Sequence, residues 1–157
     1  YEGEWKNVEK YGYGTYYFPN GHRYEGKLEK DEKHGYGIFF YSNGLRYEGE
    51  WKNDLEEGYG IYYIPKGNLF KGQFKNGKIE GYGIASFPNG DKYEGEWKND
   101  ENDGYGIYYY SDGDRYEGYI LRKKIEGYGI KYFSNGDRYE GYFKEGKYNG
   151  FDYFILP

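Results

Sequence analysis

The chain has 157 residues, a formal charge of −5, and neither cysteine nor methionine. Lack of cysteine excludes a disulfide frame, a thiolate zinc site and a cysteine nucleophile and fits a reducing compartment, while the acidic balance gives no footprint for a nucleic-acid backbone. Aromatics are 25% of residues within a hydrophobic total of 36%, so burial has to come from Tyr, Phe and Trp, enough for one apolar face but not for a thick centre.

From the first residue the sequence is periodic. An aromatic residue, a charge and a glycine recur from Tyr1, Tyr24, Tyr47, Phe70, Tyr93, Tyr116 and Tyr139, always 23 apart. Four positions of that period hold 26 of the 28 glycines, so the glycine content is positional rather than low-complexity, the mark of a repeat architecture. No insertion breaks the period, which predicts units that pack only on their neighbours in one array over 1–157. Entry in mid-pattern at Tyr1, with no methionine, suggests a segment excised from a longer protein; no apolar run approaches a membrane span and no signal-like start is present.

Within the unit from Tyr93 to Arg115, Tyr93-Glu94-Gly95-Glu96-Trp97-Lys98 alternates apolar and charged as a half-buried strand does. Asn99 to Asp103 reads as a polar turn. Gly104-Tyr105-Gly106-Ile107-Tyr108-Tyr109-Tyr110 has strand composition, and Asp112-Gly113 is a hairpin signal. Four glycines per unit and no helical spacing argue against helix. The expected fold is all-β, an elongated open antiparallel sheet of seven stacked hairpins with about 14 strands, the last unit truncated.

Folding about Asp112-Gly113 with an even-numbered loop sets Tyr109 opposite Tyr116, Ile107 opposite Gly118 and Tyr105 opposite Ile120. That register collects the rings on one face around a furrow of small Gly and Ile. Its lining, and the candidate groove for a protein helix or peptide, is Trp5, Tyr13, Tyr36, Trp51, Tyr59, Phe74, Tyr82, Trp97, Tyr105 and Tyr128.

Tyr1-Glu2-Gly3-Glu4-Trp5-Lys6-Asn7, then Gly12-Tyr13-Gly14-Thr15-Tyr16, then Pro19-Asn20-Gly21-His22-Arg23-Tyr24 resembles the MORN repeat (membrane occupation and recognition nexus), and the pattern recurs at Tyr47 and Tyr93. The resemblance implies a curved sheet of stacked hairpins serving as a cytoplasmic scaffold at the cytoskeleton, cell cortex or membrane periphery. It also implies a helix or peptide in the aromatic groove, homodimers in some members, phosphoinositide binding in others, and any catalysis in a separate domain.

Three units depart from the pattern. The fourth has Phe70, Lys71 and Ala85-Ser86, a gap in the ring row read as drift or a bend, or as a socket for a partner side chain. In the sixth, Leu121-Arg122-Lys123-Lys124-Ile125 reads as a basic protrusion, a solvated loop or else a contact of Arg122, Lys123 and Lys124 with acidic protein or lipid head groups. The seventh runs Gly150 to Pro157 with added aliphatics, an end cap first and a dimer contact second.

Candidates for chemistry are poor. His22 and His34 fall in predicted turns, and three of Ser42, Ser86, Ser111 and Ser134 share one turn position where local backbone bonding explains them. A calcium loop from Asn99 would need its bidentate Glu where Tyr110 stands. The Gly-Tyr-Gly stretches lack the helix N-terminus of phosphate-binding loops. No catalytic residue, metal site or cofactor is assigned. The expected function is a non-enzymatic scaffold that binds protein. The alternatives are a phosphoinositide or membrane-surface module, or a carbohydrate-binding module in which the rings stack on sugars; nucleic acid, which rings also stack on, is set aside for want of a basic stripe. A further reading treats the rings as this thin fold's own core.

Overall fold

The computed structural model describes residues 1–150 and 153–155 and contains no helix among them. It divides into two compact units, Tyr1–Lys78 and Ile79–Pro157. The first holds β1 (Glu2–Lys6), β2 (Glu9–Tyr17), β3 (Arg23–Glu29), β4 (Glu32–Phe40), β5 (Arg46–Lys52), β6 (Leu55–Ile64) and β7 (Asn68–Lys75). The second holds β8 (Lys78–Ser86), β9 (Lys92–Lys98), β10 (Glu101–Tyr109), β11 (Arg115–Leu121), β12 (Lys124–Tyr132), β13 (Arg138–Lys144), β14 (Lys147–Tyr148) and β15 (Tyr153–Ile155). Within each unit the strands pair antiparallel with their neighbours in the chain, as the hairpin pattern predicts, and β15 adds to β13.

Two kinds of turn alternate. Asn7-Val8, Lys30-Asp31, Asn53-Asp54, Asn76-Gly77, Asn99-Asp100, Arg122-Lys123 and Glu145-Gly146 each have positive φ at both residues, the backbone of a two-residue type I′ hairpin. The expected five-residue turn after Lys98 is therefore only Asn99-Asp100, and β10 resumes at Glu101. Likewise the Leu121–Ile125 protrusion is a two-residue turn, Arg122-Lys123, with Leu121 ending β11 and Lys124 starting β12. His34 also lies in a strand, β4, rather than a turn.

The other turns are three-residue loops. Tyr110 N–H donates to the Asp114 carbonyl (2.9 Å) and Gly113 N–H to the Tyr110 carbonyl (3.1 Å). Gly113, at φ 94°, supplies the left-handed residue that such loops need. An odd loop shifts the pairing by one from the even-loop expectation. Tyr108, not Tyr109, faces Tyr116; Gly106 faces Gly118; Gly104 faces Ile120. A one-residue slip moves every side chain of the strand to the opposite face, so the expected single ring-lined furrow does not form.

The glycines explain how one sheet layer seals its own face. Gly49 and Gly60 stand opposite each other on β5 and β6. A Cβ on Gly49 would come within 2.6 Å of both the Gly60 Cα and the Tyr47 hydroxyl oxygen, so the Tyr47 ring lies directly over the pair. Its hydroxyl donates to the Glu50 carbonyl (3.1 Å). Tyr24, Tyr93 and Tyr116 repeat this, donating to the carbonyls of Lys27, Glu96 and Tyr119, and all four rings are fully buried. The furrow is thus filled by the chain's own tyrosines. Trp51 packs edge-on against Tyr47 and donates its indole N–H to the Gly37 carbonyl, and Trp97 does the same with Tyr93 and Gly83.

The Gly-Tyr-Gly stretches of β2, β4, β6, β10 and β12 sit at bulges, where the strand carries extra residues against its partner. In the first unit Gly58, at φ 64°, marks one, and the following Tyr59 N–H is taken by the Glu50 carboxylate (3.3 Å). In the second, Gly104 and the Tyr105 N–H do the same with Glu96 (3.0 Å). The tyrosine between the glycines is thereby turned to the face opposite the buried rings. At the end of the second unit β15 pairs with β13, and Phe154 stacks on Phe133. The rest of the capping segment, Phe151, Asp152, Leu156 and Pro157, lies outside the described residues.

Candidate functional site

The slip in register sorts the candidate groove residues by face. Trp51, Phe74 and Trp97 lie in the sealed layer, 4%, 4% and 8% exposed; Trp5 shares their position but, on edge strand β1, is 57% exposed. Tyr13, Tyr36 and Tyr59 in the first unit, and Tyr82, Tyr105 and Tyr128 in the second, occupy the opposite face and are between 50% and 65% exposed. They recur on every second strand, so successive rings in a unit stand about 10 Å apart.

This outer face is held by a repeated polar bracket. Tyr36 donates its hydroxyl to Glu48 (2.7 Å), Glu48 pairs with Arg46 (3.5 Å), and the Arg46 guanidinium lies 4.0 Å from the Tyr63 ring centroid. In the second unit Tyr82 donates to Glu94 (2.8 Å), which pairs with Lys92 (3.1 Å); Tyr128 donates to Glu140 (2.6 Å). The bond to the Glu48 carboxylate, with burial second, pushes the Tyr36 hydroxyl up to about 12; burial and then Glu94 do the same to Tyr82. These rings therefore stay neutral and fixed in orientation near neutral pH. Tyr119 and Tyr142 widen the row by standing opposite Tyr105 and Tyr128. The signal for this row lies in the sequence at the middle of each Gly-Tyr-Gly; an even-numbered loop merges it with the rings of the sealed face, and the three-residue loop separates them.

The residues singled out for chemistry have structural roles. His22 Nδ1 accepts the Ser42 N–H (3.0 Å), a link between successive hairpin loops that Asp91 makes to Ser111 (2.8 Å) and Asp114 to Ser134 (3.0 Å). Burial pushes the Asp91 carboxyl up, but bonds from Ser111, Tyr108 and Asn89 outweigh it and hold the group below its usual range. His34 has Nε2 4.0 Å from Glu29. In the fourth unit's gap, Ala85 is buried opposite Tyr93 while Ser86 is on the other face opposite Lys92, so the two positions do not form one socket. Arg122, Lys123 and Lys124 are all exposed. Among the described residues no group of three or more His, Asp or Glu is placed to hold a metal ion, and no helix is long and apolar enough to cross a membrane.

At the opposite end of the hairpins, the sealed face of the first unit is closed by a lysine plug. Lys33 gives both its N–H (2.9 Å) and its ammonium (2.8 Å) to Asp54, and the ammonium lies 4.9 Å from the Trp51 ring centroid. Lys10 makes the same two bonds to Asp31. The hollow left among Lys10, Tyr16, Leu28 and Lys33 is only about 160 Å³.

Among solved structures the chain is similar to the SAS-4 (dCPAP) TCP domain of Drosophila melanogaster, in complex with a proline-rich motif of Ana2 (dSTIL). The TM-score is 0.44 at 17% identity, covering 83% of this chain and 84% of that one. It is also similar to the G-box domain of the microcephaly protein CPAP (TM-score 0.35, 18% identity, 82% and 75% covered). The TCP10 domain of Danio rerio CPAP scores 0.28 at 20% identity, with 82% and 73% covered. No curated protein matches the chain. The MORN repeat family model matches seven times in one phase, at residues 1–23, 24–46, 47–69, 70–92, 93–115, 116–138 and 139–151. Those seven consecutive repeats make the chain a member of the MORN repeat family.

Proposed function

We propose that the chain is a non-enzymatic scaffold that holds a segment of another protein against its outer tyrosine row. The observation that carries this reading is the exposure of Tyr36, Tyr59, Tyr105 and Tyr128 on a face the fold does not use for its own core. Their neighbours Ile38, Ile61, Ile107 and Ile130 are only half-buried. A contiguous apolar surface repeated in this way marks an interaction site. Tyrosine is suited to it, giving large contact area at small entropic cost. Glu48, Glu94 and Glu140 fix the ring orientation in advance, which lowers the ordering cost of binding.

The test is affinity capture with the intact chain and two variants, Tyr36→Ser with Tyr59→Ser, and Tyr105→Ser with Tyr128→Ser. Circular dichroism should be unchanged, and a protein captured specifically by the wild type should fall at least tenfold with one pair or both. Equal capture by wild type and both variants contradicts the reading. Trp51 and Trp97 are unsuitable for this purpose, since both are buried and their loss would act through folding.

A further inference from the structure

On the sealed face the lysine plug of the first unit is missing from the second. Where the 23-residue period places Lys10 and Lys33, the second unit has Ile79, Asn102 and Ile125. Where it places Asp31 and Asp54, it has Asp100, Lys123 and Gly146, so only Asn102 faces a lysine across the turn. Asn102 is too short to span the distance to the turn, and a cleft of about 590 Å³ opens above it, within the range of ligand sites. Trp97, Tyr108, Tyr110 and Ile120 form its apolar lining, and Lys123 and Lys124 stand on its rim with Asp100.

The polar groups of the cleft are unequally satisfied. The Tyr108 hydroxyl is taken by Asp91 (2.9 Å), and the Asp100 carboxylate by the Ile79 N–H (2.8 Å). The Asn102 main-chain carbonyl accepts the Lys123 N–H (3.4 Å). Asn102 as a whole residue is only 5% exposed; its carboxamide lines the cleft and has no hydrogen-bond partner among the described residues. A carboxamide that opens onto a cleft without an internal partner keeps its donors and acceptor free for whatever enters. The Lys123 ammonium likewise has no acidic partner among the described residues, and Lys124 reaches only an exposed Glu145 at 3.9 Å.

We propose that this cleft is a binding site for an extended peptide carrying one large apolar side chain next to an acidic residue. The apolar side chain enters between Trp97, Tyr108 and Ile120. A carboxamide offers one acceptor and a donor, the complement of the C=O and N–H of a peptide group, so Asn102 pairs with the peptide backbone beside the anchor. The adjoining carboxylate meets Lys123, which supplies charge complementarity the first unit lacks, since there the same turn position holds Asp54, already paired with Lys33. This site lies on the face opposite the tyrosine row and does not depend on it.

The test is a titration of the ¹⁵N-labelled intact chain with N-acetyl-Phe-Glu-N-methylamide, followed at the Asn102 side-chain amide and the Trp97 indole N–H. Both signals should shift, and affinity should be at least tenfold higher than for N-acetyl-Phe-Lys-N-methylamide or N-acetyl-Gly-Glu-N-methylamide. Asn102→Lys with Lys123→Asp rebuilds the plug of the first unit and should reduce affinity at least tenfold, with the remaining amide spectrum preserved. No shift at Asn102 and Trp97, equal affinity for the three probes, or undiminished binding by a folded plug variant would each overturn the proposal. The probe comparison on the wild type decides the matter even if the double variant fails to fold. Tyr105→Ser with Tyr128→Ser should leave probe affinity unchanged, so this site and the tyrosine row can fail separately.

Discussion

In the first unit Lys33 crosses the sealed face to reach Asp54, and its ammonium sits over Trp51; in the second, Asn102 stops short of Lys123 and Trp97 is left lining a cleft. The backbone is the same in both places, a strand leaving a two-residue turn whose residues have positive φ. A repeat scaffold can thus change from a closed to an open surface by exchanging two side chains, without altering register, turn or the tyrosine rings beneath. What the two units share should therefore dominate stability, and what distinguishes them should be visible mainly in binding.

The largest effect should come from the shared element. Tyr47→Ala and Tyr116→Ala each remove a fully buried ring from its glycine pair and should cost about 3–5 kcal/mol, measured by urea unfolding. Similar losses at the two sites would support a common core, whereas a negligible loss at either would break the comparison. Next is the plug. Asp54→Ala strips the acceptor from both the Lys33 N–H and its ammonium and should cost about 1.5 kcal/mol. Asp100→Ala, which frees one N–H, should cost less, about 1 kcal/mol.

Acid tests the plug itself. The Lys10 N–H and then the Lys10 ammonium hold the Asp31 carboxyl below its usual range. At Asp54 burial works in the opposite direction, but the two Lys33 bonds outweigh it and the group is also lowered. A carboxyl titrating lower when folded than its unfolded value near 3.9 contributes stability that is fully present above about pH 4. That contribution is lost as the pH falls through the folded value. Urea midpoints measured from pH 6 to pH 2 should decline less steeply in Asp54→Asn than in the wild type. The smallest effect belongs to the outer row, where Tyr59→Ser should change stability by no more than about 0.5 kcal/mol while reducing partner capture.

Much of this fold was legible in the residues, because the 23-residue spacing, the glycine positions and the Asn- and Asp-containing turns each have a local cause. The existence and order of the strands followed from them. The facing of the strands did not, because Ser111-Asp112-Gly113 contains the same Asp-Gly pair as a two-residue turn, and only the extra residue in the loop decides which face receives Tyr105 and which Tyr108. With the parity wrong, Trp51, Phe74 and Trp97 were grouped with the exposed tyrosines. The period itself held the clue, since placing Gly106 opposite Gly118 stacks small residue on small residue and leaves room for a ring above them. In the sequence Asn102 reads as one more polar turn residue; its place in the period at the position of Lys10 and Lys33 is the available signal, but its burial depends on the turn being two residues long.

Everything rests on the two faces being chemically different in the way the register dictates, and hydroxyl-radical footprinting read residue by residue by mass spectrometry tests that directly. Tyr13, Tyr36, Tyr59, Tyr82, Tyr105 and Tyr128 should be modified rapidly, while Tyr24, Tyr47, Tyr93, Tyr116, Trp51 and Phe74 remain protected in the folded chain. Modification of Trp51 and Phe74 at the same rate as Tyr36 and Tyr59 would put all of them on one open face and contradict the account.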